Sequence, residues 1–131
     1  MIKLIDLPKI EDLRGNLSFI EQNNHIPFEI KRTYWIYDVP GGEKRGGHAY
    51  KKLNEFIVAL SGSFDVLLDN GKETFTYSLN RPNYGLYVPE MNWRSLQNFS
   101  TNALCLILAS EEYDSEDYLY DYSTFIKLAN A

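Results

Sequence analysis

A histidine, a tyrosine and a glutamate stand close together near the middle of the chain, in a segment bounded by glycines. His48 and Tyr50 are two residues apart, Glu55 follows five residues after Tyr50, and Gly42 and Gly62 bound the segment. Residues i and i+2 of a strand point to the same face of the sheet, so both rings are predicted to enter one interior. An imidazole titrates near neutral pH and suits proton transfer there. The spacing therefore predicts that the two side chains line one site.

A second segment, Pro89–Asn98, carries another candidate side chain, Arg94. Together the two segments resemble the two motifs of the cupins, in which two histidines and a glutamate of the first motif and a histidine of the second bind a metal. Tyr50 and Arg94 stand at two of these four positions, and His48 and Glu55 stand at the others. A guanidinium cannot coordinate a cation and repels one. The sequence therefore predicts a pocket without a metal or another cofactor.

The composition is that of one globular domain spanning residues 1–131. Hydrophobic residues make up 44% and aromatic residues 15% of the chain, which excludes a disordered protein. The chain has neither an apolar run of membrane-spanning length nor a signal-peptide core, so a cytoplasmic protein without a membrane partner is expected. The net charge is −5, with six acids and no base at residues 111–121, which argues against a nucleic-acid partner. The single cysteine, Cys105, lies in an apolar run and is expected to be buried and unreactive.

Short segments rich in aromatic and β-branched residues, separated by turns, fill most of the chain. They predict an all-β antiparallel sandwich or barrel. A hairpin is expected at Asn70–Gly71, because Asn-Gly suits a type I′ turn. Alternation along one aromatic strand places Tyr34 on one face and Trp35 on the other. Towards the C-terminus apolar residues recur at helical spacing, which predicts a short helix over about 114–129.

The whole pattern is similar to that of the sugar 3,4-ketoisomerases, cupins that act on dTDP-4-keto-6-deoxyglucose. The resemblance covers nearly the whole chain and rests on Asp12–Leu17, Ile30–Tyr34, Arg45–Leu53, Gly85–Pro89 and Leu108–Asp114. It implies a cupin jelly-roll barrel, that is, a double-stranded β-helix, which uses no metal. It also implies a homodimer whose N-terminal strands are exchanged between the two chains.

The resemblance implies a reaction that moves a ketone from C4 to C3 of the sugar through an enediol. An aminotransferase then uses the 3-keto product to make 3-amino-3,6-dideoxy sugars for bacterial surface polysaccharides such as lipopolysaccharide O-antigen. Members of the family carry two histidines for the proton transfers. His48 matches the first and Tyr50 stands at the second, so these two residues are predicted to be catalytic. The predicted substrate-binding residues are Arg14, Tyr34, Arg45, Lys52 and Arg94.

Arginine pairs bidentately with phosphate, so Arg14, Arg45 and Arg94 are expected to make the mouth of the barrel cationic for a nucleotide-linked ligand. A phenol ordinarily has a pKa of ~10 and is a weak base at neutral pH. Cationic neighbours such as Arg45 and Arg94 would lower the pKa of Tyr50.

Three outcomes stay open for the tyrosine at the second histidine position. His48 does both proton transfers, or Tyr50 replaces the missing acid, or the protein binds a nucleotide sugar without isomerising it. The last outcome is a function of another class, a non-catalytic nucleotide-sugar-binding cupin. A metal-dependent cupin oxygenase or isomerase is a third interpretation, which Arg94 and Tyr50 disfavour.

Overall fold

The structure, a computed structural model, describes residues 1–131, and nearly all of its regular structure is β-strand. In chain order the strands are β1 (Lys3–Asp6), β2 (Lys9–Ile10), β3 (Leu17–Ser18), β4 (Arg32–Tyr37), β5 (Arg45–Tyr50), β6 (Glu55–Ser61), β7 (Phe64–Asp69), β8 (Thr74–Leu79), β9 (Tyr84–Val88), β10 (Trp93–Gln97), β11 (Leu104–Ala109) and β12 (Tyr118–Leu119). A 3-10 helix covers Ser115–Asp117, and one α-helix, α1, covers Tyr122–Ala129.

Two five-stranded antiparallel sheets face each other. One has the strand order β1-β9-β6-β11-β4 and the other has the order β12-β5-β10-β7-β8. Buried apolar side chains from both sheets fill the space between them, among them Ile57, Val66, Leu96 and Ile107. Strands that are distant in the chain are neighbours in both sheets, as in a jelly roll. The predicted all-β jelly-roll barrel is confirmed.

Each sheet is also partly covered on its outer face. Phe56 and Val58 of β6 point away from the central core and pack against Ile26 and Phe28, which precede β4. Phe125 of α1 packs on the outer face of the second sheet. Neither α1 nor any other helix is long and apolar enough to span a membrane. Since these layers pack on the outer faces, the side chains that form the site come from the inward faces of the two sheets.

The β2–β3 hairpin belongs to neither sheet, since its strands pair only with each other. Leu13, in its loop, is fully exposed, and Ile10, Leu17 and Phe19 are exposed as well. β1, by contrast, pairs with β9 of the same chain. The hairpin therefore carries a group of apolar side chains that nothing covers within one chain.

The helix predicted over about 114–129 is shorter than expected, and the prediction was wrong for its first half. There the chain forms the 3-10 turn and then β12, which pairs with β5. The buried carboxylate of Asp117 accepts hydrogen bonds from the backbone N–H groups of Lys52 (2.8 Å) and Leu53 (3.1 Å). These long-range bonds outweigh the local helical periodicity. α1 begins only after Asp121, whose carboxylate caps the helix.

The hairpin between β7 and β8 is present as predicted, but its turn is not type I′. Asp69 pairs with Thr74, so four residues form the loop. Gly71 has a positive φ of 97°, whereas Asn70 does not have a positive φ, and a type I′ turn requires both. The Asn70 side chain instead accepts hydrogen bonds from two backbone N–H groups of the loop, both at 2.9 Å. This side-chain acceptor stabilises the wider loop.

Candidate active site

His48 and Tyr50 point into the barrel from β5, as the alternation predicted. Both are buried there, and Ala49 between them faces the other side of the sheet, where it is buried beside α1. The His48 Nε2 atom lies 3.0 Å from the Tyr50 hydroxyl oxygen. The two rings meet edge to face with their centres 4.9 Å apart. The two predicted catalytic residues are therefore in direct contact.

A bulge in β5 sets the direction of His48. Arg94 of β10 pairs with His48, but Leu96, two residues further, pairs with Arg45, so β5 has one residue more than β10 over this stretch. Gly46 takes a positive φ of 76° in the bulge. A Cβ atom at this position would lie 2.2 Å from the Nη1 atom of Arg94. Glycine is therefore needed here for the backbone conformation and for the space that the guanidinium occupies.

Arg94 is almost fully buried and forms an ion pair with Glu55 of β6. Its Nε donates to Oε1 at 2.8 Å, and its Nη2 donates to Oε2 at 2.9 Å. Only 2% of the Arg94 side chain and 1% of the Glu55 side chain are exposed. The Tyr34 hydroxyl donates to Glu55 Oε2 at 2.6 Å and accepts from Arg94 Nη2 at 2.9 Å. Because β6 and β10 belong to different sheets, this triad joins the two sheets across the barrel.

The ion pair limits what Arg94 can do. Its Nε–Nη2 edge, which would bind a phosphate bidentately, is already occupied by Glu55. Burial alone would lower the pKa of Arg94, but the adjacent carboxylate raises it well above its ordinary value. Burial alone would raise the pKa of Glu55, but the guanidinium brings it below its ordinary value. Both groups therefore stay ionised and compensate each other's charge.

His48 and Tyr50 are both held in their uncharged forms. Burial, assisted by the charge of Arg94, lowers the pKa of His48 to about 4. Burial, and after it the Glu55 carboxylate, raises the pKa of Tyr50 above its ordinary value. The expected lowering of the Tyr50 pKa was wrong, because burial dominates and Glu55 offsets Arg94, while Arg45 is exposed. At neutral pH the site offers a neutral imidazole and a protonated phenol.

The structure brings only part of the predicted substrate-binding set to this centre, namely the tyrosine of β4 and the arginine of β10. Arg45 is exposed at the start of β5. Lys52 is exposed just beyond the end of β5, beside a polar cleft lined by the segment after β11. Arg14 lies on the β2–β3 hairpin, where it pairs with Asp12 at 2.6 Å. It makes no contact with the site of its own chain.

Three residues near the centre were not identified from the sequence. The rings of Tyr118 and Tyr120 lie 5.1 and 5.9 Å from the His48 ring, but both fall in the segment that was predicted to be helical. Arg32 lies on the inward face of β4, with its guanidinium carbon 4.9 Å from the centre of the Tyr34 ring. Its period-two relation to Tyr34 was the signal that could have identified it.

The donor set at the centre does not suit a metal ion. No group of three or more His, Cys, Asp or Glu side chains that could hold a metal comes together in the structure. Both oxygens of the Glu55 carboxylate accept hydrogen bonds from Arg94, and one also accepts from Tyr34. The carboxylate is therefore committed to the ion pair.

Known proteins resemble this chain over nearly its full length. The model of the family described as "FdtA: WxcM-like, C-terminal" matches residues 1–130. The chain belongs to the WxcM-like FdtA family. A curated relative from Aneurinibacillus thermoaerophilus, TDP-4-oxo-6-deoxy-alpha-D-glucose-3,4-oxoisomerase, is 45% identical over 125 residues, which are 95% of this chain and 90% of the relative.

Solved structures agree with the assignment to the WxcM-like FdtA family. The sugar 3,4-ketoisomerase QdtA from Thermoanaerobacterium thermosaccharolyticum, crystallised in complex with TDP, matches with a TM-score of 0.96 and 38% identity, over 98% of this chain and 94% of that chain. The TDP-quinovose 3,4-ketoisomerase WlaRB from Campylobacter jejuni matches with a TM-score of 0.92 and 42% identity, over 96% and 97%. The resemblance drawn from the sequence motifs is confirmed.

The Glu55–Arg94 pair predicts a large loss of stability in a Glu55→Gln variant. The change would leave the Arg94 guanidinium buried without a counter-charge, which costs about 3–5 kcal/mol of unfolding free energy. Urea denaturation followed by tryptophan fluorescence measures this loss. A Glu55→Gln/Arg94→Met variant, which has neither charge, should regain a large part of it.

Glu73→Gln is the matched control, because it makes the same change at an exposed carboxylate of the β7–β8 loop that forms no ion pair. We expect no measurable change in unfolding free energy, since this side chain stays in water in the folded protein. An equal loss of unfolding free energy in Glu55→Gln and Glu73→Gln would contradict the role given to burial.

The lowered pKa of His48 predicts a pH-dependent stability. The pKa is about 4 in the folded protein and 6.5 ordinarily, so the unfolded chain binds more protons between these values. Stability should therefore be complete above pH ~6.5 and should fall by about 3 kcal/mol as the pH decreases towards ~4. Urea denaturation at closely spaced pH values, compared with His48→Asn, measures the effect. If the difference in unfolding free energy between the two proteins stays constant from pH ~6.5 to ~4, His48 does not titrate as described.

Proposed function

We propose that the protein is a sugar 3,4-ketoisomerase that converts dTDP-4-keto-6-deoxyglucose into its 3-keto isomer. The contact between a neutral imidazole and a protonated phenol, His48 and Tyr50, carries the proposal, because it supplies a base and an acid inside one barrel. The relative that is 45% identical is named for this reaction, and QdtA was crystallised with TDP. Both relatives support a TDP-linked keto-deoxy sugar as the substrate.

The first half of the reaction needs a base for the proton on C3 and an acid for the oxygen on C4. His48 Nε2 takes the C3 proton, and the electrons of the broken C–H bond form the C3=C4 double bond. Tyr50 donates its phenolic proton to the former ketone oxygen on C4, which yields the enediol. In the second half the Tyr50 phenolate takes the proton from the oxygen on C3 as the new carbonyl forms. The His48 imidazolium gives its proton to C4, and both residues return to their starting forms.

The electrostatics of the site suit His48 as the base and Tyr50 as the acid. The transient charges on His48 and Tyr50 have opposite signs, and the atoms that bear them are 3.0 Å apart. The neighbouring ion pair has no net charge, but, after burial, Arg94 lowers the pKa of His48 and Glu55 raises the pKa of Tyr50, so the pair helps to keep both residues uncharged before the reaction. We assign the carbon-bound protons to His48 and the oxygen-bound protons to Tyr50.

The remaining residues are proposed to bind the substrate. Tyr34 and Arg94 face the sugar, Arg94 through its Nη1, which has no hydrogen-bond partner within the chain. Arg45 and Lys52, both exposed near β5, are proposed to contact the nucleotide part. The cytoplasm is the proposed compartment, since the proposed substrate is a nucleotide-linked metabolite, and an aminotransferase is the proposed consumer of the 3-keto product.

We further propose a homodimer in which the β2–β3 hairpin, residues 9–18, crosses to the partner chain. The uncovered apolar side chains of this hairpin support the exchange. Trp35, Tyr37 and Leu60 are exposed together near one edge of the first sheet and would be covered in the same interface. Arg14, which does not reach the site of its own chain, would then bind substrate in the partner's site.

A non-catalytic nucleotide-sugar-binding protein is the second candidate. The pKa of about 4 favours it, because it makes His48 a weaker base than free imidazole. Binding without turnover separates it from the isomerase.

Proton exchange tests the isomerase directly. In deuterated water with dTDP-4-keto-6-deoxyglucose, NMR should show a 3-keto product, with deuterium at C4 to the extent that the proton held by His48 exchanges with solvent before it is delivered. His48→Asn should abolish the exchange, since no base remains. Tyr50→Phe should lower turnover by about 10²–10⁴-fold, the usual contribution of a positioned acid. Saturable dTDP binding by the unaltered protein with neither exchange nor any 3-keto product would select the non-catalytic binding protein.

Mixed dimers test the exchange of the hairpin. Arg14→Ala and His48→Asn proteins should each have low activity alone, but a dimer of one chain of each kind contains one site with both residues intact. Equal mixing after mild unfolding and refolding should restore about a quarter of the unaltered activity.

The matched control mixes His48→Asn with Tyr50→Phe, two changes proposed to act within one site, so that no intact site forms. If isomerase activity returns in this control mixture, or does not return in the first mixture, the hairpin does not serve the partner's site. A single-chain mass by light scattering would overturn the dimer.

A further inference from the structure

Two tyrosines of the C-terminal segment lie against His48. The ring centre of Tyr118 is 5.1 Å and that of Tyr120 is 5.9 Å from the ring centre of His48. Tyr118 also meets the Tyr50 ring edge to face, with the ring centres 4.7 Å apart. Tyr118 and Tyr120 stack on each other, with their planes 15° and their centres 5.2 Å apart. We call these two residues the tyrosine cover, since together they contact both residues proposed to move protons.

The tyrosine cover stands between solvent and one side of the site. Tyr120 is 65% exposed, and Tyr118 behind it is half-buried. By contrast, only 9% of His48 and 4% of Tyr50 are exposed. Neither ring of the cover belongs to the apolar core between the two sheets. The rings therefore shield the site more than they hold the barrel together.

The backbone of the tyrosine cover is fixed on both sides. Tyr118 pairs with Tyr50 where β12 joins β5, and Leu119, which faces the other way, is buried beside α1. Before the cover, Asp117 accepts hydrogen bonds from the backbone beyond β5. After it, Asp121 caps α1. Since its backbone is held at these points, the cover keeps its rings in place over the site.

Shielding of His48 matters for the proposed reaction, because the imidazole holds a proton between the two steps. Closing a site against water prevents the loss of such a proton. Burial is the main cause that lowers the pKa of His48 to about 4, with the charge of Arg94 as the second cause and Glu55 opposing both. The imidazolium is therefore a stronger acid than its free counterpart, and water that reached it would take its proton more readily.

We propose that the tyrosine cover excludes water from His48, so that the proton removed from C3 is delivered to C4 of the same sugar. Tyr118 and Tyr120 are then positioning residues, which act on the reaction through His48. The proton balance closes within the site, since C4 gains the proton that C3 loses. This role rests on the proposed isomerisation and goes beyond it by stating where the new C4 hydrogen of the product comes from.

The deuterium content of the 3-keto product measures whether the proton is kept. In deuterated water the unaltered protein should form product that carries mainly ordinary hydrogen at C4. Tyr120→Ala removes the outer ring, so the fraction of product with deuterium at C4 should rise several-fold. Tyr120→Phe keeps the ring and should retain hydrogen like the unaltered protein. Borohydride reduction of the product after short reaction times prevents later exchange at the carbon beside the ketone.

Tyr113→Ala is the matched control. It removes a tyrosine of the same segment that is 63% exposed and whose ring packs on Tyr118 rather than on His48. Its product should match that of the unaltered protein. A variant that is only less stable turns over less substrate, but its ratio of deuterium to hydrogen at C4 does not change.

Three results would overturn the role of the tyrosine cover. They are product of the unaltered protein that is fully deuterated at C4, an unchanged ratio of deuterium to hydrogen in Tyr120→Ala, and an equal rise in Tyr113→Ala and Tyr120→Ala.

A measurement without substrate separates the shielding of His48 from the proposed reaction. The Cε1 hydrogen of a histidine exchanges slowly with deuterated water, at a rate that depends on the access of water and on the pKa of the ring. Mass spectrometry of peptides should show faster exchange at His48 in Tyr120→Ala than in the unaltered protein. His25, in the loop before β4, should exchange equally in both. Equal rates at His48 in the two proteins would show that the cover does not shield it.

The two proposals can thus fail separately. If the unaltered protein forms no 3-keto product, the isomerase proposal fails, whereas the shielding of His48 is decided by the exchange at Cε1. If the product forms but its C4 hydrogen comes from water, the isomerase proposal stands and the role of the tyrosine cover fails.

Discussion

The buried ion pair between Glu55 and Arg94 is the interaction on which the rest of the site depends. Removing two charges from water costs several kcal/mol per ion, and only good geometry with additional hydrogen bonds offsets this cost. Here two parallel hydrogen bonds and the Tyr34 hydroxyl supply that geometry. Gly46 supplies the space in which the guanidinium lies. One ion pair thus constrains four positions on four different strands.

The same pair decides which chemistry the centre can support. Its two charges compensate each other, so the pair offers an incoming sugar neither a free carboxylate nor an unpaired cation. Burial then keeps His48 and Tyr50 uncharged. What remains is an environment suited to moving protons between neutral groups.

Local patterns in the sequence predicted an antiparallel β fold, and the resemblance to the cupin motifs predicted the barrel. Alternation places His48, Tyr50 and Tyr34 correctly, because a period of two depends only on neighbouring residues. The ion pair between Arg94 and Glu55 could not be predicted, since the two residues lie 39 positions apart in the sequence and no local pattern connects them. The same holds for Asp117, whose bonds to residues 64 and 65 positions away convert an apparently helical segment into a turn and a strand. The pKa of Tyr50 depends on burial and on Glu55, neither of which alternation reveals.

The pairing of β12 with β5 has a consequence for the growing chain. β12 is the last strand in chain order, and Tyr118 and Leu119 pair with Tyr50 and Ala49. While the protein is being synthesised, the edge of β5 that carries Tyr50 stays unpaired until residue 119 has emerged from the ribosome, long after β10 has closed the other edge. An open strand edge is a template for pairing with other chains. The strand that carries His48 and Tyr50 therefore keeps an open edge in the nascent barrel and is among the last strands to gain its final partner.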